Sequence, residues 1–170
     1  MVPINFLNNY EKEKLIKQLN EQFGITEIEG QLAKFGKERI VLFSGEATQK
    51  EIIMIDELAR VEGVGLYIAK EQPDGIRLSI EGSQLIGKQA TKNVFEMDEK
   101  QAEQWMLGQE IPTQTKDRGF TIMKFKNDFL GTGKASEGRI TNFVPKPRRL
   151  KFKETPIGEL IKEQEESVEE

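Results

Sequence analysis

Leu15, Ile16, Leu19 and Phe23 recur at spacings of three and four, which places them on one side of a helix. Asn8, with Glu11 three positions on, supplies the N-cap oxygen and the returning carboxylate that satisfy unpaired N–H groups at a helix start. Gly24 stands where a helix ends in left-handed geometry. The pattern predicts an amphipathic helix over Asn9–Phe23. The segments Ile25–Phe35 and Glu38–Ser44 flank Gly36-Lys37, and the second is β-branched and apolar, so the pair predicts a hairpin. Thr48 and Glu51 form a second capping box that opens a helix running to about Arg60. Its apolar side, from Ile52 and Ile53 to Ile55, Leu58 and Ala59, is wide enough to pack on more than one neighbour.

The pattern then changes. Gly63–Lys70 reads as the opening of a strand, and Gln72-Pro-Asp-Gly75 is a strong turn because Pro presets φ and Asp-Gly tolerates positive φ. Ile76–Ile80 and Gln84–Gly87 read as short strands with a bend or bulge at Gly82. Asn93–Met97 is a further strand. Asp98, with Gln101 at N3, caps a helix whose inner stripe is Ala102, Trp105 and Met106 and which Gly108 closes. Phe120–Phe125 alternates about a strand, Asn127-Asp128 turns the chain, and Phe129-Leu130 leads into Gly131-Thr-Gly-Lys134. Thr155-Pro156 opens one more short helical turn before an acidic end. The fold class is therefore α+β, with an N-terminal α/β unit over residues 1–60, a compact β-rich unit over 61–153, and a short helix and acidic tail over 154–170.

Composition narrows the chemistry. There is no Cys, hence no disulfide, thiolate metal site or cysteine nucleophile. There is no His, so the usual near-neutral general base and the commonest nitrogen ligand for metals are both missing. The expectation is a binding module with no catalytic residues, no cofactor and no metal. No apolar run approaches the roughly 18 residues of a spanning helix, and the first residues lack a secretory pattern, so the expected address is cytoplasmic with no membrane partner.

A net charge of −4 argues superficially against nucleic acid. The distribution reverses that reading. Residues 112–153 hold 11 basic and 3 acidic side chains, whereas 154–170 hold 1 basic and 7 acidic. With a Debye length of about 8 Å at physiological salt, a partner feels the local patch rather than the total.

Two constellations lie in the basic region. Gly131, Gly133 and Lys134 offer backbone amides and a charge to an anion, but the spacing, hydroxyl residue and helix of a phosphate-binding P-loop are missing, and a glycine bulge in a small barrel accounts for them equally. Arg139–Lys153 has no acidic residue in 15 positions, carries Phe143 and Phe152 among its cations, and is held extended by Pro145 and Pro147. Extended cations with occasional rings suit RNA, through phosphates for affinity and stacking for fit. The alternatives are a solvated strand edge or a docking strip for the acidic tail, which would then compete with RNA.

The order Gly119-Phe-Thr-Ile-Met, Phe129-Leu-Gly-Thr-Gly-Lys-Ala-Ser136, then Gly138-Arg-Ile-Thr-Asn-Phe-Val-Pro-Lys-Pro-Arg-Arg149 resembles the PUA-like RNA-binding domain at the C-terminus of Sun-type RNA (cytosine-5) methyltransferases. The similarity extends over roughly Val64–Arg149. It implies a β pseudo-barrel, binding of structured RNA such as rRNA or tRNA, and functional positions at Gly131, Gly133, Lys134, Asn142, Pro145, Lys146 and Arg149. Those methyltransferases also carry a cofactor-binding domain and catalytic cysteines, neither of which is read here. The chain is therefore expected to be the RNA-binding end standing without its catalyst, with a methyltransferase or ribosome-assembly factor as a second expected partner. Lys134, Arg139, Lys146, Arg148 and Arg149 are expected on phosphates, Asn142 on a base or ribose, and Phe143 as a stacking ring.

Overall fold

A computed structural model of the protein describes residues 4–59 and 61–151. The expected helical turn at Thr155, Phe152, Lys153 and the acidic tail lie outside them. The chain forms β1 (Ile4–Phe6), α1 (Asn9–Phe23), β2 (Gln31–Phe35), β3 (Arg39–Phe43), α2 (Gln49–Leu58), β4 (Leu66–Gln72) and β5 (Gly75–Leu78). It continues through α3 (Ile80–Ile86), β6 (Val94–Glu96), α4 (Glu99–Met106), β7 (Ile111–Pro112), β8 (Gly119–Phe125), β9 (Asp128–Ser136) and β10 (Arg139–Thr141). The helices α1, α2 and α4 start at the expected capping boxes of Asn8, Thr48 and Asp98, and α1 ends at Gly24 with φ 78°.

The strands build two five-stranded sheets. The first is an antiparallel meander in the order β1-β2-β3-β4-β5; the second runs β6-β8-β9-β10-β7, with β6 parallel to β8. The expected α+β architecture is met, and the curled second sheet gives the β-rich part its pseudo-barrel character. One core, including Leu15, Phe23, Ile40, Ile76, Ile122 and Phe129, joins α1 and both sheets. A second core centres on Trp105, Met123 and Ile140.

The first sheet runs across the division expected at residue 60, because β3 and β4 are hydrogen-bonded neighbours. Of the stretch Ile25–Phe35, only Gln31–Phe35 is strand. The turn between β8 and β9 falls on Lys126-Asn127, one residue earlier than expected, with Lys126 at φ 53°.

The largest departure follows β5. Instead of further strand, the chain forms α3, capped by Ser79, whose Oγ accepts from Gly82 N at 2.9 Å and donates to the Tyr67 carbonyl at 2.7 Å. Gly82 is no bulge. It lies flush on β4, where a Cβ would come within 1.9 Å of the Ile68 carbonyl oxygen. Ser83 then ties α3 to the second sheet by accepting from Gly131 N at 2.9 Å. Helix α3 is thus wedged between the sheets, and it fixes one wall of the site described next.

Helix α2 also differs from expectation. Only Ile52 is buried on it, while Met54, Ile55 and Leu58 are 61%, 51% and 89% exposed. Its wide apolar face covers the small core of Ile4, Ala33 and Val41 on one side and meets solvent on the other.

Candidate nucleic-acid interface

Strand β9 carries Gly131, Gly133 and Lys134 through the middle of the second sheet. A Cβ on Gly133 would lie 2.3 Å from Ile140 Cγ2 and 3.0 Å from Trp105 Cη2. The glycine therefore makes room for the buried indole, whose Nε1 donates to the Leu130 carbonyl at 2.8 Å. Gly131 has φ 87° and gives its N–H to Ser83. These glycines pack the fold, and their amides form no anion cradle: the barrel-bulge alternative is the one realised.

Beyond β10 the chain does not stay extended. Lys146–Arg148 form a 3₁₀ turn with Pro147 in its first positions, where proline's fixed φ is compatible and its missing donor is not needed. Leu150 N then donates to the Met106 carbonyl at 2.9 Å, so the basic segment is laid back along α4.

The seven candidate residues separate accordingly. Asn142 is committed to the fold. Its Nδ2 donates to the Trp105 and Gln109 carbonyls at 2.8 and 2.9 Å, and its Oδ1 accepts from Val144 N at 2.8 Å. It closes the C-terminal end of α4, whose last carbonyls have no helical partner. Arg149 is committed too, since its Nε donates to the Val144 carbonyl at 3.0 Å and the side chain lies over Gly108.

The remaining cations are placed at the surface, three of them facing a carboxylate from another element. Lys134 pairs with Asp74, Arg139 with Glu110 at 3.3 Å, and Arg148 with Glu81 of α3. The hydrogen bond from Lys134 holds the Asp74 carboxyl below its ordinary range, against a smaller opposing effect of desolvation. Lys146 is exposed on its turn.

Phe143 is half-buried between these groups. Its ring centre lies 6.3 Å from that of Phe120, and the Arg77 guanidinium sits 4.7 Å above it. Arg77, Phe143, Arg148, Glu81 and Tyr67 line a cleft of about 70 Å³ between β5, α3 and the segment after β10. The cleft is too small to enclose a base, but its rim sets arginine planes and aromatic rings beside charge, the groups on which unstacked bases and their phosphates rest. Arg77 was not among the sequence candidates. The alternation Ile76-Arg77-Leu78 already turns it away from the core, but its approach to Phe143, far along the chain, is a product of sheet packing.

The β-rich part is consistent with a PUA-like pseudo-barrel: a curled mixed sheet, with the basic segment that follows it folded back along α4. Residues 92–150 match the family described as the Methyltransferase RsmF PUA domain, which establishes for that stretch the resemblance seen in its motifs. Among curated proteins, the ribosomal RNA small subunit methyltransferase F of Aeromonas salmonicida (strain A449) is 29% identical over 146 residues, covering 85% of this chain and 29% of the relative. The protein of the same description from Vibrio cholerae (strain M66-2) is 24% identical over 145 residues, covering 85% of this chain and 30% of the relative. That from Aeromonas hydrophila is 28% identical over 138 residues, 80% of this chain and 27% of the relative. The similarity thus extends well beyond residues 92–150 into the first sheet. The chain spans about three-tenths of the length of the curated relatives it matches.

Proposed function

We propose that this chain is a non-catalytic RNA-binding protein of the PUA-like class that acts on structured rRNA or tRNA, in RNA modification or ribosome assembly in the cytoplasm. The observation that carries the reading is the cleft formed by Arg77, Phe143 and Arg148, which lies at the edge of the stretch matching a methyltransferase PUA domain. Lys134, Arg139, Lys146 and Arg148 contact phosphates, and Phe143 with Arg77 holds a base. Asn142 and Arg149 serve this site by holding the segment in place. Among the described residues no helix is long and apolar enough to cross a membrane.

The test is a titration of rRNA and tRNA fragments at several salt concentrations. With four phosphate contacts, log K is expected to fall with log salt at a slope of about −3. Binding that is absent, or indifferent to salt, overturns the reading.

The exposed apolar face of α2 favours a second reading, an adaptor that anchors a separate RNA methyltransferase or assembly factor. Leu58, at the C-terminal end of α2, is its most exposed apolar side chain at 89%. On that reading Leu58→Glu abolishes co-purification of the partner after nuclease treatment. On the RNA reading the partner is lost on nuclease treatment alone, whatever stands at position 58.

A further inference from the structure

Strands β3, β4 and β5 place three basic residues in direct register. Arg39 is opposite Lys70, and Lys70 is opposite Arg77, so all three share one face of the first sheet. Like charges directly opposite across strands destabilise a sheet. Only partial compensation is present: among the described residues Glu38 pairs with Lys70 at 2.7 Å, while no ion pair is found for Arg39 or Arg77. The row is flanked by aromatic side chains, with Phe35 opposite Arg39 at one end and Phe143 under Arg77 at the other. It therefore runs into the cleft already described.

We infer that this row is a second part of the binding site, a track for the backbone of a single RNA strand entering or leaving the cleft. The inference rests on the RNA-binding reading proposed above. With strands about 4.8 Å apart, the three charges span roughly 10 Å, enough to meet more than one phosphate. A phosphate beside Arg39 and Lys70 relieves the like-charge contact that the register imposes. A base next along the strand then reaches Phe143 and Tyr67, where sequence-tolerant stacking is available. A duplex has no such base to offer, so the track selects single-stranded segments flanking a structured element.

The experiment compares the parent with Arg39→Gln and with Arg39→Gln/Arg77→Gln, using a fluorescein-labelled 12-nucleotide single-stranded oligouridine and an rRNA fragment. Arg39 lies outside the cleft and is exposed, so its variant isolates the track. The single variant is expected to bind oligouridine about threefold more weakly, and the double variant about tenfold, with the salt slope reduced by about 0.7 per charge removed. Melting temperatures at or near the parent's accompany these losses, since removing like neighbours relieves repulsion. If the parent binds both RNAs and Arg39→Gln keeps parental affinity and slope, the track is wrong and the RNA reading survives. If the parent binds the rRNA fragment but not oligouridine, the single-strand assignment is likewise overturned. If the parent binds neither, the functional reading falls and the track with it.

Discussion

Gly82→Ala is expected to lower the melting temperature by about 10 °C or more, corresponding to roughly 3 kcal/mol or more for a chain of this size. The added methyl would stand 1.9 Å from the Ile68 carbonyl oxygen and 2.7 Å from its carbon. Both are backbone atoms of β4, so no rotamer change relieves the contact. Relief requires α3 to lift off the sheet. That movement breaks the hydrogen bonds from Ser79 to the Tyr67 carbonyl and from Gly131 to Ser83. It also withdraws Glu81 from Arg148 and opens the cleft. Against a total stability of about 5–15 kcal/mol, such a loss is large. Thermal unfolding followed by circular dichroism decides it, and a variant that melts with the parent would show that α3 is not wedged as described.

Lys146→Glu/Arg148→Glu is the corresponding functional test. Both side chains are exposed, and Arg148 is half accessible even while paired, so the fold is expected to persist. The variant removes the two phosphate contacts proposed for these side chains, adds two negative charges and sets a carboxylate against Glu81. RNA affinity is expected to fall about 50-fold at moderate salt, and the loss is expected to shrink as salt is raised. Glu81→Gln is the converse. It releases Arg148 from its internal partner and is expected to tighten binding several-fold. Parental affinity in the double charge reversal would remove the turn after β10 from the site.

The ion pairs explain how a chain of net negative charge carries a basic segment without self-repulsion. Lys134, Arg139 and Arg148 each meet a carboxylate supplied by a different element. These surface pairs contribute little to stability individually. On the RNA-binding reading proposed above, their consequence is for binding: a phosphate would have to displace Asp74, Glu110 or Glu81 to reach its cation. On that reading affinity is set by a competition between internal carboxylates and RNA.

Local chemistry was legible in the sequence because it acts over three or four residues. The boxes of Asn8 with Glu11, Thr48 with Glu51 and Asp98 with Gln101 start the helices where expected, and Gly24 ends the first. The α+β class, the buried Trp105 and the basic stretch followed in the same way from periodicity and charge. Ser79 lies inside the stretch Ile76–Ile80, whose apolar residues read as strand. Its side chain reaches only to Gly82, and the helix it caps is held by Ile68 and Gly131 from two different sheets.

Tertiary structure decided which candidates are free to act. Asn142 looked like a reader of bases because amides pair with them, yet its amide is spent on the carbonyls of Trp105 and Gln109. Arg149 looked like a phosphate ligand and lies instead over Gly108. Arg77 drew no attention and stands over Phe143. Each outcome depends on partners brought close by strand register and helix docking, and neither is encoded in the spacing of a single segment. The sequence by itself determined the elements, the class and the sign of the charge; the packing of two sheets about α3 determined which charges face a partner and which are already satisfied, because a side chain's hydrogen-bonding capacity is finite and the fold fills it first.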